Sequence, residues 1–324
     1  MRGDLTWLDA SIKSIRDVTP SVREFRIMPA GGPPGWTPGS HIQVNVVIDG
    51  RTDTRFYSLV GDYDPVCYRI AVKREQPSRG GSRYMWSLSP DARIKVTTPL
   101  NLFELEFGRP DYLLVAGGIG ITPIYSMALT LARQNAPFRM LYAARSREEA
   151  AFLPELSAEL ENRLTFFAEN EAERIDLATE IGRLRPGAQV YVCGPMGLLD
   201  ALRHVWAATG HRPLDLRYET FANSGRYAPE PFWVRIAGRN VEVTVPENKS
   251  MLDSLTEAGI EVMFDCRRGE CGLCSVDIVE IKGEIDHRDV FFSDHQKKMN
   301  NKMCACVSRV VGGGVTADVG YQSS

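Results

Sequence analysis

Three closely spaced cysteines restrict what this chain can fold into more than any other feature of its sequence. Cys266, Cys271 and Cys274 follow the spacing C-x4-C-x2-C, and Cys304 and Cys306 come later, near the C-terminus. This spacing is typical of plant-type [2Fe–2S] domains, whose cluster is held by four thiolates. The alternatives are a zinc site, which usually has two separated C-x2-C pairs or histidine ligands, or unrelated core cysteines. We therefore predict an iron–sulfur domain in the last third of the chain.

Two glycines in the cysteine loop, residues 266–274, support this interpretation. Gly269 and Gly272 stand between the cysteines. Glycine lets the backbone bend inward and bring its N–H groups close to sulfur, because no Cβ stands in the way. We therefore expect both glycines to shape the loop around the cluster.

The fourth cysteine ligand is ambiguous from spacing alone. Cys304 lies at a distance along the chain from Cys274 that is familiar in ferredoxins. Cys306 opens residues 306–309, whose apolar–polar alternation indicates the start of a strand. Both cysteines therefore remain candidates at this point.

Length and composition describe an ordinary globular protein. The 324 residues suggest two or three domains, with 44% hydrophobic and 24% charged residues. A net charge of −3 provides no basic field for nucleic acid and no attraction to anionic membranes. Residues 1–4 do not resemble the start of a signal peptide, and no apolar run is long enough to span a bilayer. Seven cysteines, four of them assigned to iron, fit a reducing cytoplasm better than a disulfide scaffold, which leaves Cys67 and Cys193 as free thiols.

Residues 1–105 show the pattern of many short strands. Mixed alternation marks residues 8–15 and 22–27, and strict alternation marks residues 41–48, which are followed by a strong hairpin turn at Asp49-Gly50. Short strands that follow one another closely predict a small antiparallel β-barrel.

The segment Arg55-Phe56-Tyr57-Ser58-Leu59 contains the side chains that a flavin site needs. An arginine can hold a phosphate with two parallel hydrogen bonds, and a tyrosine offers a flat face to an isoalloxazine ring. A serine hydroxyl can reach flavin N5, where a hydride is accepted. Taken alone, the segment could equally be a strand with one charge.

A second segment, Arg79-Gly80-Gly81-Ser82, strengthens the flavin hypothesis. It follows a predicted strand at residues 69–73 and precedes a predicted helix at residues 83–88. Backbone N–H groups at a helix start form a natural phosphate seat. The alternative is an exposed loop with Ser82 as the helix cap. One such seat suits the monophosphate of FMN, and we identify no adenine platform for FAD.

Residues 106–222 alternate strands and helices. The apolar run 112–116 predicts a buried parallel strand and ends in G-G-I-G-I-T-P, residues 117–123, before a helix at residues 124–133. This is not the G-x-G-x-x-G fingerprint, so on generic grounds it indicates a dinucleotide only weakly. Further strand–helix units follow, among them a predicted helix at residues 150–160, and Cys193-Gly194-Pro195-Met196 closes the last strand. They predict a doubly wound parallel sheet with ligands at the carboxyl ends of its strands.

These segments together resemble the phthalate dioxygenase reductase family over nearly the full length. R-F-Y-S-L, R-G-G-S after V-K-R-E, G-G-x-G-I-T-P and C-G-P-M occur in the family's order. Met303-x-x-Cys306-Val307-Ser308-Arg309 matches the family's M-x-x-C-V-S-R, downstream of a D-H-R-D run at residues 286–289. Residues 276–285 are about two longer than the family pattern, and this in-phase match favours Cys306 over Cys304 as the fourth ligand. The D-H-R-D run could be a polar surface turn or part of an interface near the flavin.

The resemblance implies a multidomain fold and a set of site residues. The domains are an FMN-binding antiparallel β-barrel at residues 1–105, a doubly wound α/β NAD-binding domain at 106–222, a linker at 223–232 and an α+β ferredoxin-like (β-grasp) domain at 233–324. The implied catalytic residues are Ser58, Cys193 and Glu219. The alternative for Cys193 is a buried, inert core cysteine. The implied cofactor-binding residues are Arg55, Phe56, Tyr57, Ser58, Ala71, Val72, Lys73, Arg79, Gly80, Gly81, Ser82, Gly117, Gly118, Gly120, Thr122, Pro123, Arg145, Ser146, Cys193, Gly194, Pro195, Met196 and Phe221. The implied cluster ligands are Cys266, Cys271, Cys274 and Cys306.

The order flavin, nicotinamide, [2Fe–2S] implies electron transfer. NADH donates two electrons as a hydride, the cluster takes one at a time, and a flavin can do both. NADPH is the alternative donor, with Arg145 and Arg147 as candidates to hold its 2′-phosphate. Because no Rieske ligand pattern is present, the resemblance implies a separate Rieske-type oxygenase as acceptor. The alternatives are a diaphorase-like enzyme that reduces small acceptors, which loss of activity towards protein acceptors would favour, and a non-catalytic iron–sulfur carrier, which would lack flavin absorbance.

Overall fold

The computed structural model describes residues 5–76, 78–221 and 225–320. The chain divides into two compact units, of which the first ends at Glu219 and the second begins at Thr220. The expectation about residues 1–4, and the beginning of the predicted linker at residues 223 and 224, lie outside the described residues. Among the helices of the described ranges, none has the length and apolar character that a membrane crossing requires.

The first sheet of unit 1 has seven antiparallel strands. Its order is β4-β3-β6-β1-β2-β5, with β7 beside β3, and the edge strands β4 and β5 lie next to each other in a barrel-like sheet. Its elements are β1 (Trp7–Thr19), β2 (Val22–Pro29), β3 (Ser40–Ile48), β4 (Arg51–Ser58), β5 (Tyr68–Lys73), helix α1 (Gly81–Ser87), β6 (Arg93–Thr97) and β7 (Leu100–Asn101). The flavin-domain fold expected from the sequence is confirmed.

Strand β1 continues four residues beyond the end predicted from its alternation. It pairs with β2 as far as Thr19↔Val22, and its register shifts between Ile12 and Ser14 and again between Asp17 and Thr19. A bulge inserts an extra residue and moves later side chains to the other face. The apolar–polar pattern is therefore interrupted while the strand itself continues.

The second sheet of unit 1 is parallel, in the order β10-β9-β8-β11-β12. From β8 the chain continues to β9 and β10 on one side of the sheet, and then to β11 and β12 on the other side. The strand order therefore reverses between β8 and β11, the position at which doubly wound folds bind ligands. Its elements are β8 (Tyr112–Gly117), α2 (Ile121–Arg133), β9 (Phe138–Ala144), α3 (Leu153–Leu160), β10 (Leu164–Ala168), α4 (Leu177–Gly182), β11 (Gln189–Cys193), α5 (Met196–Ala208) and β12 (Leu216–Glu219). The doubly wound prediction is confirmed.

Two helices of this sheet begin elsewhere than predicted. Helix α2 starts at Ile121, three residues before the predicted start. Pro123 fits in its first turn because a backbone N–H there would have no partner within the helix, and because the φ of proline already suits a helix. Helix α3 starts at Leu153, later than the predicted residue 150, because Phe152 before it is left-handed with φ of 62°.

Unit 2 contains a mixed five-stranded sheet in the order β14-β13-β17-β15-β16. Strands β13 and β17 are parallel and the other pairs are antiparallel, which is the ferredoxin-like arrangement expected from the sequence. Its elements are β13 (Phe232–Ile236), β14 (Glu242–Val245), α6 (Met251–Glu257), β15 (Ser275–Asp286), α7 (Asp294–Met299), β16 (Lys302–Cys304) and β17 (Arg309–Asp318). Ser250 and Asp253 cap α6 reciprocally.

The strand that residues 306–309 indicate begins at the last of them, Arg309, with β17. The N–H groups of Val307 and Ser308 both donate to the carbonyl oxygen of Cys304, which closes a turn before it. The alternation in residues 306–309 therefore reflects packing of a buried turn. The turn places Cys306 between two strands instead of within one.

The D-H-R-D run is buried, so its interpretation as a polar surface turn is wrong. Asp286, Arg288 and Asp289 are each at most 5% exposed. Arg288 is ion-paired with Asp286 and donates to the carbonyl oxygen of Tyr227, while the N–H of Arg226 donates to Asp286. The second half of the predicted linker is thus hydrogen-bonded to unit 2.

A half-buried ionic network joins the two sheets of unit 1. Arg69 on β5 donates to Glu24 on β2 (2.7 Å) and to Glu155 on α3 (2.8 Å). Arg16 contacts the same two carboxylates, and the Tyr125 hydroxyl of α2 donates to Glu155. Hydrogen bonds to charged groups in partly dry surroundings are stronger than those in water. This network therefore fixes how the antiparallel sheet meets the parallel one.

Glu155→Gln is expected to destabilise unit 1 by about 1–2 kcal/mol at about pH 7. This is less than for a fully buried ion pair, because a third of the Glu155 side chain is exposed to water. Burial opposes ionisation of Glu155, but hydrogen bonds from Arg69 and Arg16 outweigh it and lower the pKa from 4.5 to about 2. The charged form therefore stabilises the fold above pH 4.5, and this stabilisation is lost as the pH falls towards 2. Urea unfolding gives the free energy of unfolding of parent and variant. The difference between the two should be smaller at about pH 3.5 than at about pH 7. Glu159→Gln, exposed on α3, is the control; equal differences at both pH values would contradict the assignment.

Candidate functional site

The three predicted catalytic residues lie together at the carboxyl edge of the parallel sheet. Glu219 ends β12 and is the register partner of Cys193, which ends β11. The Ser58 hydroxyl, at the end of β4, donates to the Glu219 carboxylate at 3.4 Å. All three are buried. The structure thus brings a hydroxyl, a carboxylate and a thiol from two sheets to one point, although they are up to 161 residues apart in the chain.

The glycine turn after β8 lies directly against the end of β11. A Cβ on Gly120 would stand 2.2 Å from the carbonyl oxygen of Cys193, and one on Gly117 would stand 2.6 Å from Pro195. Gly194 approaches the Gly117 backbone equally closely, with its Cβ position 3.0 Å from the Gly117 Cα. The glycine turn and the C-G-P-M segment, both predicted to bind the dinucleotide, therefore form one surface. Their close approach requires glycine at the positions that touch.

The remaining residues of this turn lie at the start of α2 and α5. Gly118 has a positive φ of 54°, and Thr122 donates its hydroxyl to the carbonyl oxygen of Ile119. Pro123 lies in the first turn of α2, and Met196 is the first residue of α5. The N–H groups of a 13-residue helix thus begin at the switch point of the sheet.

Gly120→Ala is expected to raise the KM for NADH about tenfold or more, because the new methyl group would push the end of β11 away from the turn. Steady-state reduction of ferricyanide at varied NADH concentration measures this. Gly197→Ala is the control, because a Cβ there meets nothing within 4 Å. An unchanged KM in Gly120→Ala would show that the close approach does not shape the dinucleotide site.

The R-G-G-S segment and Arg55 of β4 form the second part of the site. The Arg55 guanidinium donates to Asp53 at 2.6 Å and to the carbonyl oxygen of Arg79 at 3.3 Å. Gly80 has a φ of 92°, and a Cβ on Gly81 would lie 2.5 Å from the Arg55 Nε. The arginine therefore packs onto the glycine backbone, and the guanidinium and this glycine turn together form a cradle in which a phosphate would meet an arginine fork.

Ser82 does not cap the adjoining helix. Helix α1 has Gly80 at its N-cap and no side-chain cap, so the capping alternative for this segment is wrong. The Ser82 hydroxyl instead accepts from the N–H of Glu75 and lies 2.9 Å from the Ser78 hydroxyl. It stabilises the loop that presents the cradle.

Other predicted flavin residues lie on the neighbouring strands. Phe56 and Tyr57 are half-buried on β4, where burial raises the pKa of Tyr57 and keeps its hydroxyl neutral. Ala71, Val72 and Lys73 end β5, and the Val72 carbonyl oxygen accepts from the Trp86 indole of α1. Flat aromatic side chains and backbone thus lie on the strands beside the cradle, which fits a flavin.

The two arginines after β9 differ in their surroundings. Arg147 pairs with Glu171 at 3.4 Å and lies over the Phe166 ring at 5.1 Å. Arg145 is exposed, and Ser146 beside it is half-buried. Both arginines lie after the end of β9, so the structure leaves the choice between NADH and NADPH to the family resemblance.

The five cysteines of unit 2 form two groups, Cys266 with Cys271, and Cys274 with both Cys304 and Cys306. The Sγ atoms of Cys274 and Cys306 are 3.0 Å apart, and Cys266 is hydrogen-bonded by Cys271. The N–H groups of Arg268 and Cys271 both donate to Cys266 Sγ at 3.4 Å. Two thiolates for each of two irons, with N–H donors around them, is the donor set that a [2Fe–2S] cluster needs.

Both loop glycines have the conformation expected from the sequence. Gly269 and Gly272 have φ of 75° and 74°, a region that side chains rarely adopt. A Cβ on Gly269 would meet Val307 and Asp289, and one on Gly272 would meet the Phe291 ring. The loop is therefore packed tightly from behind.

Cys304 and Cys306 differ in what surrounds them. Cys304 ends β16 opposite Ser275, whereas Cys306 lies in the following turn, where the N–H of Gly269 hydrogen-bonds to it. The hydrogen-bonded thiols of Cys304 and Cys306 lower the pKa of Cys274 to about 3. A thiolate is thus favoured at the centre of this group.

Across residues 5–76, 78–221 and 225–320, no group of three His, Cys, Asp or Glu side chains is arranged to hold a single metal ion.

Sequence reasoning missed several residues that position this site. His41 is buried, is the register partner of Ser58 and lies 5.8 Å from the Phe56 ring, measured between centroids. The buried Ser126 hydroxyl of α2 donates to the carbonyl oxygen of Leu59. No motif marks either residue: His41 lies on the strand that pairs with the R-F-Y-S-L segment, and the contact of Ser126 joins elements 67 residues apart.

Comparison with known proteins identifies the two regions separately. The family profile described as "Oxidoreductase NAD-binding domain" matches residues 114–204. The profile described as "2Fe-2S iron-sulfur cluster binding domain" matches residues 234–311. Together these cover the glycine turn, the C-G-P-M segment and the cysteine loop.

Curated relatives match the whole chain. The "Heme-dependent oxidative N-demethylase beta subunit" of Ectopseudomonas mendocina is 36% identical over 97% of this chain and 99% of its own length. The "Vanillate O-demethylase oxidoreductase" of Acinetobacter baylyi is 33% identical over 93% of this chain and 96% of its own length.

A solved structure matches with the same coverage. It is described as "Phthalate dioxygenase reductase: a modular structure for electron transfer from pyridine nucleotides to [2Fe–2S]". The TM-score is 0.75 at 29% identity, over 96% of this chain and 98% of that one. The likeness therefore includes the order of the domains.

Proposed function

This chain belongs to the phthalate dioxygenase reductase family, and from that premise we propose that it supplies electrons to a Rieske-type oxygenase that acts on aromatic compounds. It is an NADH-dependent flavin iron–sulfur oxidoreductase, the reductase component of an oxygenase system, with FMN and a [2Fe–2S] cluster as cofactors. The observation that carries the proposal is the meeting of Ser58, Cys193 and Glu219 in a chain that also holds the cysteine loop.

The residues of unit 1 serve positioning. A bound flavin accepts a hydride and passes electrons on singly. The Arg55 guanidinium and the glycine cradle hold the flavin phosphate, and the glycine turn at Gly117 and Gly120 holds the dinucleotide. Ser58, held by Glu219, would direct its hydroxyl to the part of the flavin that accepts the hydride. The buried Cys193 would shape the nicotinamide pocket without acting as a nucleophile. Phe221, two residues past Glu219 and already in unit 2, has a proposed role next to the flavin on the family resemblance alone.

The residues of unit 2 hold iron. Cys266, Cys271, Cys274 and Cys306 would hold the cluster, which would accept and give one electron at a time. Cys306 is preferred to Cys304 because it matches the family motif and is hydrogen-bonded by the Gly269 N–H. The N–H donors around Cys266 stabilise negative charge on the sulfurs. This loop is where electrons leave the chain.

A second candidate partner is a heme-dependent oxygenase. The observation that favours it is the 36% identity to a subunit of a heme-dependent oxidative N-demethylase over 97% of this chain. Both candidates require the same reductase chemistry, so they differ only in the acceptor.

One experiment tests both candidates. The purified reductase is mixed with NADH and, in turn, with Rieske-type and heme-dependent oxygenase components, and NADH oxidation coupled to product formation is followed. Coupled turnover with a Rieske-type component supports the proposal, and turnover only with a heme component replaces it with the second candidate. Reduction of ferricyanide without turnover of any oxygenase would favour a diaphorase-like enzyme instead.

A further inference from the structure

Exposed apolar side chains surround the cysteine loop of unit 2. Met263, Phe264, Leu273 and Phe291 are 64%, 45%, 47% and 48% exposed. Met263 and Phe264 precede the loop, separated from Cys266 by the exposed Asp265, and Leu273 lies within the loop. Single exposed apolar residues are normal on a protein surface, but several at one place mark an interaction site. We call these four residues the loop patch.

Phe291 is held in place from two sides. Its ring atoms lie 2.3–2.4 Å from where a Gly272 Cβ would be, so it packs directly on the loop backbone. Beneath it, the buried Phe292 meets it edge to face, with ring centroids 5.1 Å apart. The N–H of Phe292 donates to the buried carboxylate of Asp289 at 2.9 Å. This turn therefore presents a rigid aromatic side chain to solvent, and rigid aromatic anchors dominate the energy of protein interfaces.

A positive charge borders the loop patch on the other side. The Arg267 guanidinium lies 4.5 Å from the centroid of the Phe264 ring and 3.2 Å from Asp253. About a third of the Arg267 side chain is exposed. An apolar centre with a charged rim is the usual composition of a protein–protein interface. The matching surface would be apolar with an acidic group opposite Arg267.

We propose that the loop patch is the surface on which the oxygenase component docks, an inference that rests on the proposed function. Electron tunnelling weakens steeply with distance, so the acceptor must approach the loop that holds the cluster, and the loop patch is the apolar surface at that loop. A patch of four residues fits a small, transient interface, in which the partner binds, takes one electron and leaves. The occupant is an oxygenase surface with an apolar depression rimmed by acidic groups.

The test uses the holoprotein with an oxygenase component that the parent reduces. Phe291→Ser and Met263→Ser should each raise the KM for the oxygenase about tenfold, the loss expected for one interfacial anchor, with little change in kcat. Met263→Ser is included because Phe291→Ser removes packing on the loop. Val279→Ser is the matched control: Val279 is also exposed, but it lies five residues along β15 from Cys274, about 16 Å away.

Stopped-flow absorbance distinguishes the occupants. NADH-driven reduction of the cluster in the isolated reductase should keep the parental rate in both variants. Slower cluster reduction with an unchanged KM for the oxygenase would overturn the proposal and assign the loop patch to the chain's own flavin unit. An unchanged KM in both variants would also overturn it. Failure of the parent to reduce any oxygenase is a separate result, which would sink the proposed function itself.

Discussion

Cys306→Ser is expected to yield protein that retains flavin but lacks a stable [2Fe–2S] cluster, whereas Cys304→Ser keeps the cluster. Cys306 Sγ lies 3.0 Å from Cys274 Sγ and is approached by the Gly269 N–H from within the cysteine loop. Serine would replace a thiolate with a hydroxyl that binds iron poorly. Iron and acid-labile sulfide content, with visible absorbance before and after anaerobic reduction, measure the outcome.

The control in this pair needs care, because Cys304 is fully buried and lies in the core of unit 2. Burying a serine hydroxyl there costs about 1–3 kcal/mol, so Cys304→Ala is included to separate lost packing from lost ligation. Cluster loss in both Cys304 variants, with retention in Cys306→Ser, would mean that the ligand is Cys304. The extra length of residues 276–285 would then not have moved the ligand from Cys304 to Cys306.

Arg55→Ala is expected to weaken FMN binding by about 3 kcal/mol, roughly 100-fold in Kd, while leaving the cluster intact. The guanidinium packs on Gly81 and donates to the Arg79 carbonyl oxygen, so its removal opens the cradle as well as removing the charge. Fluorescence titration of the deflavinated protein with FMN gives the Kd. Arg55→Lys should give an intermediate value, because it keeps the charge and loses the fork of donors.

Arg51→Ala is the matched control for this prediction. Arg51 lies four residues earlier on β4, is exposed and precedes the R-F-Y-S-L segment. Equal FMN affinity in Arg55→Ala and the parent would remove the phosphate assignment. Cluster content measured on the same samples shows whether unit 2 is unaffected.

Local segments predicted much of this protein because their chemistry is local. The cysteine spacing identified the cluster domain, and the glycine turn after an apolar run placed the dinucleotide region. Strand β3 and the Asp49-Gly50 turn were predicted to within a residue. Each of these depends on residues within a few positions of one another.

Other features could not be predicted in this way. The twelve-residue strand β15 shows little apolar alternation, because its register against β17 shifts twice and much of it is exposed. The ionic network of Arg69 joins residues 45 and 86 positions away. The D-H-R-D run looks like a surface turn in sequence, yet Asp286 and Arg288 are buried as an ion pair that also hydrogen-bonds to the backbone of the linker.

By itself the sequence determined which cofactors this chain can take and in what order, because spacing along the chain sets how many thiolates or N–H groups reach one point. Only the tertiary structure decided which side chains meet. It brought Ser58 to Glu219 across 161 residues, and it placed Cys306 beside Cys274 in the turn before β17. The physical reason is that such contacts are fixed by sheet order and register, which depend on the packing of the whole core.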